Sequence, residues 1–259
     1  MLQKSCLDLT DRVAVVFGAT SGLGREIAVG LAEHGANVIP TGRRANLLEE
    51  VCDQLRSLDT RTLLAASDVQ DRRSIQELRD RVLSDFGRID ILVNAAGVTF
   101  RKPTVAVEDA DWAGLFDINV TGALHTCQEF HAPLKASRSG RVINIASLSS
   151  FVAFHEVAAY SASKAAVLSL TRSLACEWAA DDICVNAIAP GVFPTELNSH
   201  LLTGTERGRE ILMRTPMHRF GKPGELVGAA VLLASPGASF MTGACLTVDG
   251  GFLASGVNA

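Results

Sequence analysis

The chain has 259 residues, 47% hydrophobic, 20% charged and 5% aromatic, with a formal charge of −4, which suits a sizeable buried core and excludes a disordered, collagen-like or disulfide-scaffold protein. The mildly acidic balance carries no electrostatic footprint for nucleic acid, so no nucleic-acid partner is expected. The 6 cysteines contain no Cys-x-x-Cys pair and no Cys/His cluster at ligand spacing. Free thiols in a reducing compartment and no metal site are therefore expected. The first residues include Lys4, Asp8 and Asp11 without an apolar run, unlike a secretory signal. No stretch approaches the roughly 18 uncharged apolar residues of a membrane span. A cytoplasmic protein with no membrane partner is the expectation.

In chain order, β-rich runs at Val13–Phe17, Asn37–Thr41, Thr62–Ala66, Ile89–Val93, Arg141–Ala146, Ile183–Ala189 and Cys245–Val248 alternate with amphipathic stretches. The latter lie near Leu23–His34, Ala45–Leu58, Asp71–Phe86, Trp112–Lys135, Ala158–Ala180 and Gly224–Ala234. This alternation predicts one α/β domain over residues 1–259, a doubly wound sheet of about seven parallel strands with helices on both faces. Asp71 reads as a helix N-cap, and Gly35 and Gly87 as helix stops. The irregular segment from Gly191 to Pro223, with Pro194, Gly204, Gly208, Pro216 and Gly221, is long enough to predict a substrate lid.

Between the first strand and first helix runs Gly18-Ala19-Thr20-Ser21-Gly22-Leu23-Gly24. Glycines there allow a tight turn and the close approach of a pyrophosphate, whose charge sits against free amides at a helix N-terminus. The spacing is G-x-x-x-G-x-G rather than the commoner G-x-G-x-x-G. An NAD site usually carries a carboxylate at the end of the second strand, but this strand ends Pro40-Thr41-Gly42-Arg43-Arg44. Arg43 and Arg44 would favour the additional phosphate of NADP through forked hydrogen bonds, or else form a solvated pair at a helix start. NADP is the expected cofactor, with NAD an alternative.

Tyr160 and Lys164 are one helical turn apart, so both fall on one face. An ammonium there would lower the phenol from its ordinary value of about 10 and make Tyr160 an acid/base near neutral pH. Tyr160 is also the sole tyrosine of the chain. Ser147 ends the fifth predicted strand, at the carboxyl edge where ligands of parallel sheets bind.

These residues resemble the short-chain dehydrogenase/reductase family. The resemblance runs through the glycine turn, Asp68-Val69, Asn94-Ala95-Ala96-Gly97, Asn119, Ser147, Tyr160, Lys164, Pro190-Gly191 and Thr195, in family order. It implies a Rossmann-like domain in which Tyr160 exchanges the proton, Ser147 holds the substrate oxygen, Lys164 binds the nicotinamide ribose and Asn119 holds a relay water. Asp68 and Val69 would meet the adenine. Asn94 to Gly97 would line the dinucleotide, with Gly18, Thr20, Ser21, Gly22, Leu23 and Gly24 at its pyrophosphate. Pro190, Gly191, Val192 and Thr195 would close on the nicotinamide. A homotetramer is also implied. Two positions depart from the family pattern: Phe17 replaces a threonine and Ala95 an asparagine, removing polar groups near the cofactor.

Thr99-Phe100-Arg101-Lys102-Pro103, residues 214–223 and Val248-Asp249-Gly250-Gly251 resemble gluconate 5-dehydrogenases and related sugar-acid dehydrogenases. The reaction implied is hydride transfer between a nicotinamide and a secondary alcohol or ketone of a small molecule, a sugar acid such as gluconate. Arg101 would pair with an aldonate carboxylate or else be a surface residue beside Lys102. Ser149 and His155, between Ser147 and Tyr160, complete the candidate substrate residues. A 3-oxoacyl thioester reductase, a general sugar or alcohol dehydrogenase and a non-catalytic dinucleotide sensor are the alternatives. A serine hydrolase is disfavoured, since no G-x-S-x-G elbow surrounds Ser147.

Overall fold

β1 (Val13–Phe17) is apolar and buried at every position, as a strand covered on both faces requires. Its side chains alternate: Ala14 and Val16 join one core cluster, Val13, Val15 and Phe17 the other. The computed structural model describes residues 5–195 and 198–257 of the chain, without the side chains of 200 and 201. After β1 come α1 (Gly22–Glu33), β2 (Asn37–Thr41), α2 (Ala45–Arg56), α3 (Arg72–Phe86) and β3 (Ile91–Asn94). Then follow α4 (Asp109–Phe116), α5 (Gly122–Ala136), β4 (Gly140–Ile145), α6 (Ala158–Trp178) and β5 (Ile183–Pro190). The chain finishes with α7 (Ser199–Leu202), α8 (Glu206–Arg214), α9 (Val227–Ala234) and β6 (Cys245–Val248).

The strands form one 6-stranded parallel sheet in the order β2-β1-β3-β4-β5-β6. The first cluster packs α1, α2 and α9 on one face through Ile27, Val51, Leu55 and Val231. The second packs α3, α5 and α6 on the other through Ile75, Leu78, Phe130 and Leu174. This is the doubly wound architecture, and its ligand crevice lies outside the carboxyl ends of the strands.

Four sequence expectations are corrected. Residues 62–66 form no strand, so the sheet has six strands rather than about seven. The segment runs beside β2 with isolated bonds, Val38 N–H to Arg61 O at 3.2 Å and the Thr41 hydroxyl to Ala65 O at 2.8 Å, and no ladder. The third strand starts at Ile91 because Asp90, fully buried, turns its carboxylate to the Val13 amide at 2.9 Å and pairs with Arg88. The helix expected over Trp112–Lys135 is interrupted by a π-turn at Asp117–Thr121. The segment from Gly191 to Pro223, expected to be irregular, carries α7 and α8 in its middle, while its residues 196 and 197 lie outside the described residues. Asp71 does cap α3, accepting from the Arg73 amide at 2.9 Å, and Gly87 ends it at φ 73°. Gly35, at φ 96°, follows the end of α1.

Candidate active site

The glycine turn is built by close backbone packing. Gly18 adopts φ 80°, and a Cβ there would lie 2.5 Å from the Ala96 nitrogen, so any side chain would push β1 off the β3 loop. The Gly18 and Ala19 amides both reach Thr41 O, at 2.9 and 3.1 Å. Ser21, the N-cap of α1, makes no side-chain cap, and no acidic residue lies in the first turn. The first amides of α1 therefore keep their capacity for an anion. Gly22, at φ 57°, faces Thr195, whose methyl lies 3.5 Å from where a Cβ would stand. The turn thus meets the start of the segment after β5, as an enclosed dinucleotide requires. These residues fit a pyrophosphate.

Arg44 donates to the Thr20 and Ser21 hydroxyls at 2.6 and 2.8 Å, which fixes its guanidinium at the turn. Arg43 is exposed and stands 4.0 Å from Asp68. Asp68 also accepts from the Gln70 amide at 3.1 Å. Val69 is buried against Gly122 of α5, where a Cβ would come within 2.8 Å of the Val69 Cβ. Asn94 is occupied in the sheet: its amide donates to Asn144 at 2.9 Å, and it accepts from Thr126 at 2.7 Å. Gly191 bonds Val248 O at 2.8 Å and backs directly onto Asp249. Thr195 is held by Asn198, which accepts from its amide at 2.7 Å and donates to Phe193 O at 3.0 Å. Phe17 is 1% exposed and packs edge-on to Phe130 at 5.8 Å. This departure from the family pattern therefore falls in the core rather than at the cofactor cleft. Ala95 packs against the core cluster beside Gly24.

The residues expected to transfer the proton converge from three elements. Asn119 lies in the π-turn and is 2% exposed. It accepts from the Val98 amide at 2.8 Å and donates to Val98 O and the Ser163 hydroxyl, both at 3.0 Å. The extra residue of a π-turn re-aims side chains in a helix, a device frequent at functional sites. Ser163 in turn bonds Tyr160 O at 2.7 Å, so Asn119 is tied to the turn that carries the tyrosine. Lys164 is buried, donates to Ile145 O at 2.8 Å and stands 5.8 Å over the Tyr160 ring. A Cβ on Gly97 would lie 3.2 Å from Asn119 Oδ1 and 3.4 Å from Lys164 Nζ. Gly97 thus keeps open the space these groups share.

Burial lowers the Lys164 ammonium to about 8. Burial pushes the Tyr160 phenol above its ordinary value, and a hydrogen bond with Ser147 pulls it partly back. In this arrangement Lys164 does not lower the phenol as its spacing suggested, because the Nζ points to a carbonyl and stands off the ring. A protonated phenol beside the Ser147 hydroxyl can donate to a carbonyl oxygen, and as phenolate it can accept an alcohol proton. Ser147 also takes the Ser149 amide at 3.2 Å. The Ser149 hydroxyl is buried and, among the described residues, has no hydrogen-bond partner.

Arg101 ion-pairs with Glu156, Nε to Oε2 at 2.7 Å. Lys102 turns away to Asp111 at 2.7 Å. The His155 side chain is 80% exposed and stands 3.6 Å from Glu156, and its carbonyl accepts from Arg207 of α8 at 3.3 Å. Sequence reasoning missed Glu156, Arg207, Ser163 and Asn198. Glu156 had a signal of a kind, a charged residue in the loop before Tyr160, but its pairing is long-range.

Among the described residues no helix is long and apolar enough to cross a membrane. The family described as Enoyl-(Acyl carrier protein) reductase matches residues 18–253. The 2-dehydro-3-deoxy-D-gluconate 5-dehydrogenase of Escherichia coli is 38% identical, covering 96% of this chain and 98% of that protein. The gluconate 5-dehydrogenase of Gluconobacter oxydans is 34% identical, covering 98% of this chain and 100% of its own. Among solved structures, a gluconate 5-dehydrogenase from Burkholderia cenocepacia in complex with NADP and tartrate superposes with a TM-score of 0.91. It is 35% identical and covers 96% of this chain and 98% of its own. Matched end to end in sequence and backbone, with its motifs folded to one edge of one sheet, the chain belongs to the short-chain dehydrogenase/reductase family of oxidoreductases.

Proposed function

We propose that this oxidoreductase is an NADP-preferring dehydrogenase of a sugar acid, interconverting a secondary alcohol and its ketone. The observation that carries the reading is the joining of Asn119, Ser163, Tyr160 and Lys164 in one buried hydrogen-bonded corner; Arg101, in the loop after β3, would supply a cation to the crevice. The relatives named for gluconate and 2-dehydro-3-deoxygluconate, matched over nearly their full length, support the substrate class. The NADP in the Burkholderia structure supports the cofactor, as do Arg43 and Arg44 beside the glycine turn.

The dinucleotide, when bound, accepts or supplies the hydride. Ser147 holds the substrate oxygen and Tyr160 takes the hydroxyl proton in oxidation or returns it in reduction. Lys164 keeps two ammonium protons beyond the one given to Ile145 O, which suits it to hold a ribose hydroxyl. Asn119 keeps the π-turn aimed at Val98 and Ser163, fixing the path along which the proton leaves. The Ser149 hydroxyl, buried and unpartnered, and Arg101 orient the substrate; His155 lies too far into solvent to share that role. Because Tyr160 is raised, its proton stays on at neutral pH. Oxidation is therefore expected to speed up as pH rises and reduction to slow.

A homotetramer completes the proposal, supported by the fully exposed Phe240 beside the edge strand β6. A cytoplasmic location is supported by six unpaired cysteines, Cys52 and Cys127 among them fully buried.

Nicotinamide absorbance followed with NADP and NAD in parallel tests the reading, using gluconate, other aldonates, neutral polyols and, in reverse, a 3-oxoacyl thioester. Turnover of an aldonate with NADP is expected. Thioester reduction without aldonate turnover would move the substrate to acyl chains.

A further inference from the structure

Two guanidiniums and a carboxylate gather in the segments that follow β3, β4 and β5 at the carboxyl edge of the sheet. Arg101 comes from the loop after β3, Arg207 from α8 and Glu156 from the loop before α6. The loops are stitched together by Lys102 N–H to Glu156 O at 2.9 Å, and α8 by Arg207 to His155 O at 3.3 Å. Lys102 is neutralised by Asp111, so it adds no free charge. Burial and the neighbouring Arg101 both lower the Arg207 guanidinium, while Glu156 and Glu210 oppose them. Arg207 thus lies within charge range of both Arg101 and Glu156, and Arg101 is the guanidinium paired with the carboxylate.

The Arg101–Glu156 contact is a single-point pair, as Arg73–Glu77 is, and is less constrained than the two-point pair elsewhere in the chain at Arg219. Arg219 grips Glu225 with two nitrogens on two oxygens, both at 2.7 Å. Arg101 meets Glu156 through Nε on one oxygen, and the side chains are 42% and 25% exposed. Glu156 also sits at φ 63°, a left-handed backbone that costs a non-glycine residue conformational energy. Four residues before Tyr160, a strained corner thus places a carboxylate on the cation assigned to the substrate.

We propose that Glu156 is an internal stand-in for the carboxylate of the substrate: it pairs with Arg101 while the site is open, and an incoming carboxylate takes its place between Arg101 and Arg207. The inference rests on the sugar-acid reading for its substrate. It adds Arg207 as a specificity-determining residue and Glu156 as a positioning residue that acts through Arg101. Holding Arg101 with a partly exposed single-point pair keeps its guanidinium extended, and once the Glu156 side chain turns away the incoming carboxylate restores the pairing of that guanidinium. A neutral polyol has nothing to exchange and gains nothing from the pair.

The test is calorimetric titration of the NADP-loaded enzyme with tartrate, which needs no turnover, together with KM for gluconate and for a neutral polyol. Glu156→Gln removes the competing charge and is expected to tighten tartrate and lower the gluconate KM by about three- to fivefold, the scale of a half-exposed ion pair, with the polyol KM unmoved. Glu156→Gly, suited to the left-handed corner, is expected to act in the same direction and guards against a folding artefact of the first variant. Arg207→Gln is expected to weaken tartrate about tenfold, and Arg207→Lys to recover part of it. Unchanged or weakened tartrate affinity in both Glu156 variants would overturn the stand-in. A loss on gluconate and polyol alike in Arg207→Gln would reduce Arg207 to a structural residue. Failure of the wild-type enzyme to turn over any aldonate would sink the sugar-acid reading alone, because the tartrate titration still decides whether Glu156 screens the guanidiniums.

Discussion

The proton-transfer corner and the mouth of the site are neighbours in sequence and opposites in construction. Asn119 and Lys164 are buried and held by hydrogen bonds to backbone carbonyls and to Ser163. Arg101, Glu156 and His155 are partly or largely exposed and held by charge contacts that meet on one oxygen of Glu156. A buried, satisfied polar network is costly to disturb and so fixes atoms to the tolerance that proton transfer needs. A half-exposed ion pair contributes at most about 1 kcal/mol and is readily exchanged. On the proposed reading, chemistry sits in the rigid region and substrate choice in the region where partners can be swapped.

The largest effect that could break this contrast is at Tyr160. Tyr160→Phe is expected to lower kcat by about two to four orders of magnitude while NADP affinity, read by fluorescence titration, is retained. Near-normal turnover would remove the proton role. Lys164 comes next. Its value of about 8 lies below the ordinary 10.5, so between those pH values the unfolded chain holds more protons and stability rises with pH, by about 3 kcal/mol. Tyr160, raised, works in the opposite direction at the alkaline end. Lys164→Met should therefore flatten the rise in urea-unfolding free energy from pH 8 upward, and an unchanged slope would contradict a buried ammonium.

Asn119→Ala removes three hydrogen bonds in a buried place and is expected to cost about 2–4 kcal/mol in the same unfolding measurement. A cost below about 0.5 kcal/mol, the scale of a surface change, would show the π-turn to be held by other contacts. Arg43→Ala is expected to weaken NADPH about tenfold and NADH hardly at all; equal losses would put the phosphate elsewhere. The smallest effect sharpens the mouth: Arg101→Ala should raise the gluconate KM about fivefold and leave a neutral polyol alone, whereas an unchanged ratio would return Arg101 to the surface.

What was legible in the sequence follows the same division. The strands announced themselves as short apolar runs because a sheet covered on both faces buries every side chain. Tyr160 and Lys164 were visible because helical spacing is local. The order of motifs placed Ser147 and Asn119 at the same edge, but not the π-turn that aims Asn119, since one extra residue in a helix leaves no mark in hydrophobic period. Residues 62–66 have the composition of a strand, yet a strand needs a ladder, and β2 offers this segment only scattered partners. Spacing alone does not carry the direction of the Tyr160 shift, because burial of the phenol and the turn of Lys164 Nζ to Ile145 O are tertiary facts. Glu156 and Arg207 lay outside sequence reasoning for the same reason: charges from three distant segments meet only in the fold.

The strand order β2-β1-β3-β4-β5-β6 has a consequence for synthesis. Once β1 and β2 have paired, each later strand docks on an edge that is still open: β3 on the far side of β1, then β4, β5 and β6 outward in turn. A ribosome delivers the strands in the order in which the sheet accepts them. The growing chain never has to part a formed pair to admit a newcomer, although its leading edge stays bare until the final strand, near the carboxyl end, has emerged.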